Sequence, residues 1–177
     1  LGLVGLAGGL PTTALLLFGG VIADRADKRR LLYATQTLFA LNAFALATLT
    51  ATGRASVWYI VGISFHNGLI FAIDGPTRQA LVYDLVGPED LATGVALQSA
   101  SFNVARVVGP AIASIVYVGL GPSWCFIVNG ISFTAVLFAL TRIRVRRRAA
   151  DTSTVPPTVA LRAGFDYICT NEAARTI

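Results

Sequence analysis

The sequence predicts an all-α, polytopic transmembrane bundle with five spans. Of its 177 residues, 55% are hydrophobic and only 13% are charged, whereas soluble domains carry about 25% charged residues. The charges are also clustered, and they leave uncharged runs over residues 1–23, 31–53, 55–73 and 107–141. Runs of about 18 or more uncharged, mostly apolar residues are typical of membrane spans. The composition therefore excludes a soluble enzyme, a disordered tail and a nucleic-acid-binding domain.

The individual spans follow from these runs and from the turn residues that divide them. The last run has 35 residues, too many for one span, and Gly121-Pro122 breaks it. Its first part continues backwards through Arg106. The five spans are predicted at about residues 1–23, 31–53, 57–73, 95–120 and 124–141.

The remaining chain, residues 149–177, is predicted to be a linker followed by the start of an amphipathic helix. Residues 151–157 are rich in Thr, Ser and Pro, and apolar residues recur at helical spacing between Leu161 and Cys169. Cys169 and Cys125 lie in different environments, so we expect two unpaired thiols. Because the chain lacks Met and opens inside an apolar segment, we expect it to be a piece of a longer protein.

Lys and Arg residues set the predicted orientation. One side of the membrane is predicted to carry ten Lys and Arg residues, in the segments 24–30, 74–94 and 142–148. The loops on the opposite side hold only Arg54. By the positive-inside rule the basic loops and the C-terminal tail are cytoplasmic, and Trp58, Tyr59 and Trp124 lie near the outer interface. The net charge of +5 is thus a topology signal and does not indicate a nucleic-acid partner.

The turn between the first two spans carries a spaced motif. Gly20 is followed by three residues, then by Asp24-Arg25, and after two more by the basic triplet Lys28-Arg29-Arg30. Gly20 is expected to let helices pack closely, and the basic residues to hold the loop against anionic headgroups. A simple positive-inside anchor is the alternative. The order closely resembles motif A of the major facilitator superfamily, which has Gly where this chain has Asp27.

A second motif lies in the fourth span, where Ala105, Gly109 and Ala113 are small and Pro110 follows Gly109. Small residues allow close helix approach, and Pro110 bends the helix and frees a backbone carbonyl. An ordinary, tightly packed helix with a proline is the alternative. The spacing resembles the Gly-Pro motif on the fifth helix of superfamily antiporters, although only Gly109 and Pro110 are identical.

The stretch between the third and fourth spans extends the resemblance to the drug and siderophore exporter branch of the superfamily. It is carried by Asp74-Gly-Pro-Thr-Arg78-Gln79-Ala80, by the segment from Leu85 to Leu91 and by the segment from Ala96 to Pro110. Pro88 is expected to start a helix with Glu89 and Asp90 in its first turn.

The resemblance implies helices two to six of a twelve-helix fold, so residues 1–148 would be most of an N-terminal six-helix bundle in a bacterial inner membrane. It implies proton-coupled efflux of a drug or siderophore by alternating access, with Asp24 in a latch between the two halves. The implied partners are the lipid bilayer, a small-molecule substrate, protons and a C-terminal half of the same polypeptide, and no cofactor or metal is expected. A non-transporting scaffold, or a hydrolase using Ser64 or Ser132 with His66, are the alternatives.

Polar residues inside the spans are the candidates for transport or coupling. Arg106 lies about 16 Å beyond Val95, where a charge costs about 2.5–3.5 kcal/mol, so it requires a partner: another helix, polar groups or an anionic substrate. His66, the only histidine, lies at nearly the same depth and suits either proton coupling or packing. The complete set is Arg106, His66, Asn67, Asp74, Arg78 and Asn103. For the asparagines inside the spans, Asn42 among them, hydrogen bonding between helices is the alternative.

Overall fold

The computed structural model describes residues 2–87 and 89–142, with the side chains of Leu17, Asp24 and Arg25 excepted. These residues form five α-helices. In chain order they are α1 (Gly2–Arg25), α2 (Lys28–Ala51), α3 (Val57–Val86), α4 (Leu91–Leu120) and α5 (Pro122–Arg142). The predicted linker, the amphipathic helix, Cys169 and the basic residues from Arg144 to Arg148 lie outside the described residues.

The turn between α1 and α2 is tight although it lacks the glycine of the motif. Asp27 precedes α2 as its N-cap with φ −66°, a value that any residue adopts. Its Oδ1 accepts a hydrogen bond from the Arg30 backbone N–H at 3.1 Å. Asp is among the residues that satisfy the free N–H groups of a helix start best. The aspartate therefore makes the turn by capping, and no left-handed glycine is needed.

Helix α3 is longer than the sequence predicts. It continues 13 residues past the predicted end at Ile73 and ends at Val86, before Gly87 with φ 76°. The prediction that Asp74 begins a loop is therefore wrong. α4 begins at Leu91, so Glu89 and Asp90 precede the helix and do not lie in its first turn as predicted. Pro88 lies outside the described residues.

The helices pack unevenly around α3. α3 packs most extensively against α1 and also contacts α2, which in turn packs against α5. α4 makes small contacts with α3 and α5, and none of its residues is buried.

The α1–α3 interface depends on two glycines. A Cβ at Gly19 would collide with the Ala72 carbonyl, and a Cβ at Gly68 would collide with the Gly8 carbonyl. Such small residues let two membrane helices bring their backbones together. The close packing predicted at Gly20 occurs instead at its neighbour Gly19, because a Cβ at Gly20 would meet no atom within 4 Å.

The surface of the bundle is apolar and part of its interior is polar. Side chains such as Leu3, Phe18 and Val118 are exposed, whereas Gln36 and Thr77 are fully buried. Among the described residues, four helices, α2 to α5, are long and apolar enough to cross a membrane, and α1 contributes the shorter apolar stretch Gly2–Leu16. The predicted all-α polytopic bundle is thus confirmed.

Candidate functional site

One end of the bundle, here called the basic end, carries the α1–α2 turn, the C-terminus of α3 and the C-terminus of α5. There Lys28 Nζ lies 2.6 Å from Asp84 Oδ2, which joins the start of α2 to the end of α3. The two side chains are only 23% and 19% exposed. Partial burial reduces screening by solvent, so this pair contributes more than a typical surface ion pair.

The second residue of the basic triplet reaches a third helix. Arg29 donates from Nε to the Leu140 carbonyl and from Nη2 to the Thr141 carbonyl, both at 2.9 Å. The last carbonyls of a helix have no partner within the helix and carry partial negative charge. A guanidinium that bonds two of them therefore caps α5 and fastens it to the start of α2.

The third residue of the triplet stays local. Arg30 Nε lies 3.8 Å from Asp27 Oδ2, and the Arg30 side chain is 85% exposed. An exposed pair of this kind contributes little. The structure therefore separates the basic triplet into two residues that tie helices together and one that faces outwards. The side chains of Asp24 and Arg25, the other charged residues of the predicted latch, lie outside the described part of the chain.

Asp74 forms the centre of a buried network between α2 and α3. Its Oδ1 accepts hydrogen bonds from Thr35 Oγ1 at 2.6 Å and from Gln36 Nε2 at 2.7 Å. Its Oδ2 accepts one from Arg78 Nη2 at 3.0 Å, while the Asp74 side chain is only 4% exposed. Two predicted candidates, Asp74 and Arg78, are thus brought together, and α2 supplies the other donors.

The predicted candidates His66 and Asn67 meet through a residue of α2. Asn42 Nδ2 donates to Asn67 Oδ1 at 2.7 Å, and Asn42 Oδ1 lies 3.1 Å from His66 Nδ1. This chain of amides and imidazole joins α2 to α3. The contact supports the interpretation of these residues as interhelical packing groups, because their hydrogen bonds are made within the bundle.

A groove of about 530 Å³ lies between α1, α2, α3 and α5. Its walls are aromatic, with polar groups set among them. It is lined by Phe39, Phe71, Phe126 and Phe133 and by Thr12, Ser64, Asn67 and Asn129. Of the predicted candidates, only Asn67 contributes to it.

The candidates on α4 stand apart from both networks. Arg106 and Asn103 are exposed, as are all four residues of the Gly-Pro motif, Ala105, Gly109, Pro110 and Ala113. The Arg106 guanidinium lies 5.9 Å from the centre of the Phe102 ring, one turn away on the same helix. A Cβ at Gly109 would meet no atom within 4 Å among the described residues. The close packing predicted around this motif is therefore not seen between the described helices.

The described contacts do not favour the hydrolase alternative. Ser132 donates to the Asn129 carbonyl at 2.7 Å, and the described partner of His66 is Asn42. Neither Ser64 nor Ser132 is therefore bonded to the imidazole in the part of the chain that the structure describes, whereas a nucleophilic serine requires a base within hydrogen-bond reach.

Three residues of these sites were missed by sequence reasoning: Thr35, Gln36 and Asp84. Asp84 could have been found, because Asp74, Thr77, Leu81 and Asp84 recur every three or four residues on one face of α3. Thr35 and Gln36 give no such signal, since their role depends on the position of α3 beside α2.

Apolar helices of membrane-spanning length, with polar groups inside and large apolar side chains outside, define a polytopic α-helical membrane protein. The family model for transmembrane secretion effectors of the major facilitator superfamily matches residues 1–177, so the chain belongs to this family. The chain is 30% identical over 180 residues to the staphyloferrin A transporter of Staphylococcus aureus (strain NCTC 8325 / PS 47). The match covers 100% of this chain and 45% of that relative, so the chain spans less than half of the relative's length. No solved structure matches it.

Proposed function

We propose that the protein exports a small molecule, a drug or siderophore, across the bacterial inner membrane in exchange for protons. The family's description as secretion effectors favours the outward direction, and the S. aureus relative is described as a transporter. Family and relative therefore both favour transport over hydrolysis. In this proposal the chain is the first part of a transporter whose two halves rock about a central site.

The observation that carries this proposal is the way in which the basic triplet joins helix ends. Lys28 ties α2 to α3, and Arg29 ties α2 to α5. Alternating access requires each half to move largely as a rigid body. Two charge-assisted contacts at one end are a means of keeping three helices together during such a movement.

The proposal also assigns an orientation and a latch. The basic end is cytoplasmic, because the described residues there include Lys28, Arg29, Arg30 and Arg142. Asp24, next to the turn, holds the two halves together on the cytoplasmic side, as the resemblance to motif A implies. Opening of this latch lets the transporter return to the inward-facing state.

We expect Asp24→Asn to lower proton-dependent efflux at least tenfold, a change of about 1.4 kcal/mol in activation free energy, because the substitution removes the latch charge. The measurement is efflux of a panel of fluorescent drugs and iron-free siderophores from cells that express the full-length gene, with and without a protonophore.

The matched control is Asp90→Asn, which removes an exposed carboxylate whose side chain does not cap α4. Both variants must reach the membrane at the wild-type level. Full efflux by the Asp24 variant would disprove the latch. An efflux rate that the protonophore does not lower would disprove proton coupling. The absence of export for every compound would favour the scaffold alternative.

A further inference from the structure

Helix α4 presents three different faces along its 30 residues. Gln98 and Val116 are half-buried, so their face is the one that packs against α3 and α5. A second face is formed by Val104, Val107, Ile115 and Val118, which are 61–83% exposed and suit lipid. The third face, here called the polar stripe, consists of Ser99, Asn103, Arg106, Pro110 and Tyr117, all exposed.

The spacing of the polar stripe places its members on one side of the helix. Successive members are separated by four, three, four and seven residues, which correspond to one or two helical turns each. Arg106 lies at the centre of the stripe. It is about 22 Å from the start of α4 at Leu91, and therefore near the middle of a hydrocarbon core about 30 Å thick.

Arg106 has no acidic partner among the side chains that the structure describes. Asp74 is bound by Arg78, and Asp84 is bound by Lys28. Glu89 and Asp90 precede α4, about 24 Å from Arg106 along the helix axis. The contact that the structure does give the guanidinium is the Phe102 ring, whose centre lies 5.9 Å away. No described residue accepts a hydrogen bond from the five N–H donors of the Arg106 side chain.

Two neutral groups beside Arg106 complete the site. Asn103 lies one turn before it on the stripe, and long helical side chains lean toward that preceding turn. Pro110, four residues after Arg106, has no N–H, so the Arg106 carbonyl lacks its regular helical donor. The stripe thus offers a forked cation, an amide and a carbonyl acceptor within about two turns.

We infer that Arg106, together with Asn103 and the Arg106 carbonyl, forms a subsite that binds the carboxylate of the transported molecule. This inference rests on the proposed export function and names the substrate class: small carboxylates that also carry a hydroxyl or N–H group. The guanidinium fork matches a carboxylate in bidentate geometry. The freed carbonyl accepts the hydrogen bond of the neighbouring hydroxyl or N–H.

Charge and depth favour a carboxylate over a phosphate. A single arginine balances one negative charge, whereas a phosphate group near neutral pH carries about −1.5 to −2 and would leave charge uncompensated in a low-dielectric site. Lipid phosphates lie at the membrane surface, about 15 Å from the middle of the core, beyond the reach of a central side chain. A free small molecule that enters a central cavity does reach it.

The test measures binding of phenyllactate, a hydroxycarboxylate, to the full-length protein in lipid nanodiscs by saturation-transfer NMR titration. The methyl ester of phenyllactate is titrated in the same way, and inorganic phosphate is added as a competitor of the acid. We expect the wild type to bind the acid at least tenfold more tightly than the ester, and Arg106→Gln to abolish this preference. The matched control is Arg142→Gln, since Arg142 also stacks on an aromatic ring one turn away, Phe138, at 5.0 Å.

The outcomes separate this inference from the proposed function. Equal binding of acid and ester by the wild type, or an acid preference that survives in Arg106→Gln, would overturn the subsite. Competition by phosphate as strong as that of the acid would overturn the carboxylate class. If Arg106→Gln does not fold, Arg106→Lys takes its place: a reduced acid preference supports the subsite, because lysine keeps the charge without the fork, and an unchanged preference overturns it. Protonophore-sensitive efflux, measured separately, decides the proposed function whichever result binding gives.

Discussion

Single polar residues in this bundle differ in whether their partners are already present. Asp74 receives three donors, two from α2 and one from Arg78, and is almost completely buried. Arg106 is exposed and meets only an aromatic ring among the described side chains. We therefore interpret Asp74, predicted from the sequence as a candidate for transport, as a group that fastens α2 to α3, and Arg106 as the group available to a ligand.

Replacement of Asp74 is expected to weaken the fold. Asp74→Asn removes the charge that strengthens three hydrogen bonds and turns an amide N–H₂ toward some of its donors, at a cost of about 2 kcal/mol. The midpoint of thermal unfolding of the full-length protein in detergent, followed by tryptophan fluorescence, should fall by roughly 2–3 °C, because the entropy of unfolding grows with chain length. Asp90→Asn, which removes an exposed carboxylate, should leave it unchanged. An unchanged midpoint for the Asp74 variant would contradict its fastening role.

At the scale of helices, the sequence correctly predicts the number, order and type of the elements between residues 2 and 142 but misplaces the end of α3. The uncharged runs locate the helices because each apolar segment must leave water. The sequence prediction ends the span before the charge of Asp74, yet a carboxylate with three donors fits inside a bundle. Those donors come largely from another helix, Thr35 and Gln36, so the sequence of α3 alone does not reveal them. The sequence of α1 also does not reveal that Gly19, and not Gly20, contacts α3. Because α1 is apolar on every side, its pattern does not indicate which face packs against a neighbouring helix.

Glycines of α3 provide a test of the α1–α3 interface. Gly68→Ala should destabilise the protein by about 1–3 kcal/mol, because the new methyl group would collide with the Gly8 carbonyl and the Pro11 ring. Gly62→Ala makes the same change on the same helix where no atom lies within 4 Å. That variant should be neutral or stabilised by up to about 1 kcal/mol through helix propensity. The measurement is the thermal midpoint in detergent, and equal shifts for both variants would refute close packing at Gly68.

For the whole molecule, the contacts at the basic end convert separate helices into one unit. Lys28 and Arg29 are neighbours at the start of α2, yet one bonds α3 and the other bonds α5. Because α3 also packs along α1, these two residues connect four of the five described helices. A displacement of the α1–α2 turn would therefore be passed to the C-terminal end of α5. In the proposed transporter this couples the latch to α5.

Loss of the Arg29 contact is expected to slow transport more than loss of an equal charge beside it. Arg29→Gln removes the guanidinium that caps the Leu140 and Thr141 carbonyls, and we expect efflux to fall at least fivefold, about 1 kcal/mol in activation free energy.

Arg142→Gln removes the same charge from the same end of the bundle without breaking this cap, and should stay within about twofold of wild type because an exposed charge contributes little. Arg29→Lys should recover only part of the rate, since an ammonium lacks the fork that bonds two carbonyls at once. Efflux from cells with matched membrane levels of each full-length variant gives the comparison. Equal losses for Arg29→Gln and Arg142→Gln would show that the basic end acts through its net charge alone and that the cap on α5 plays no part in transport.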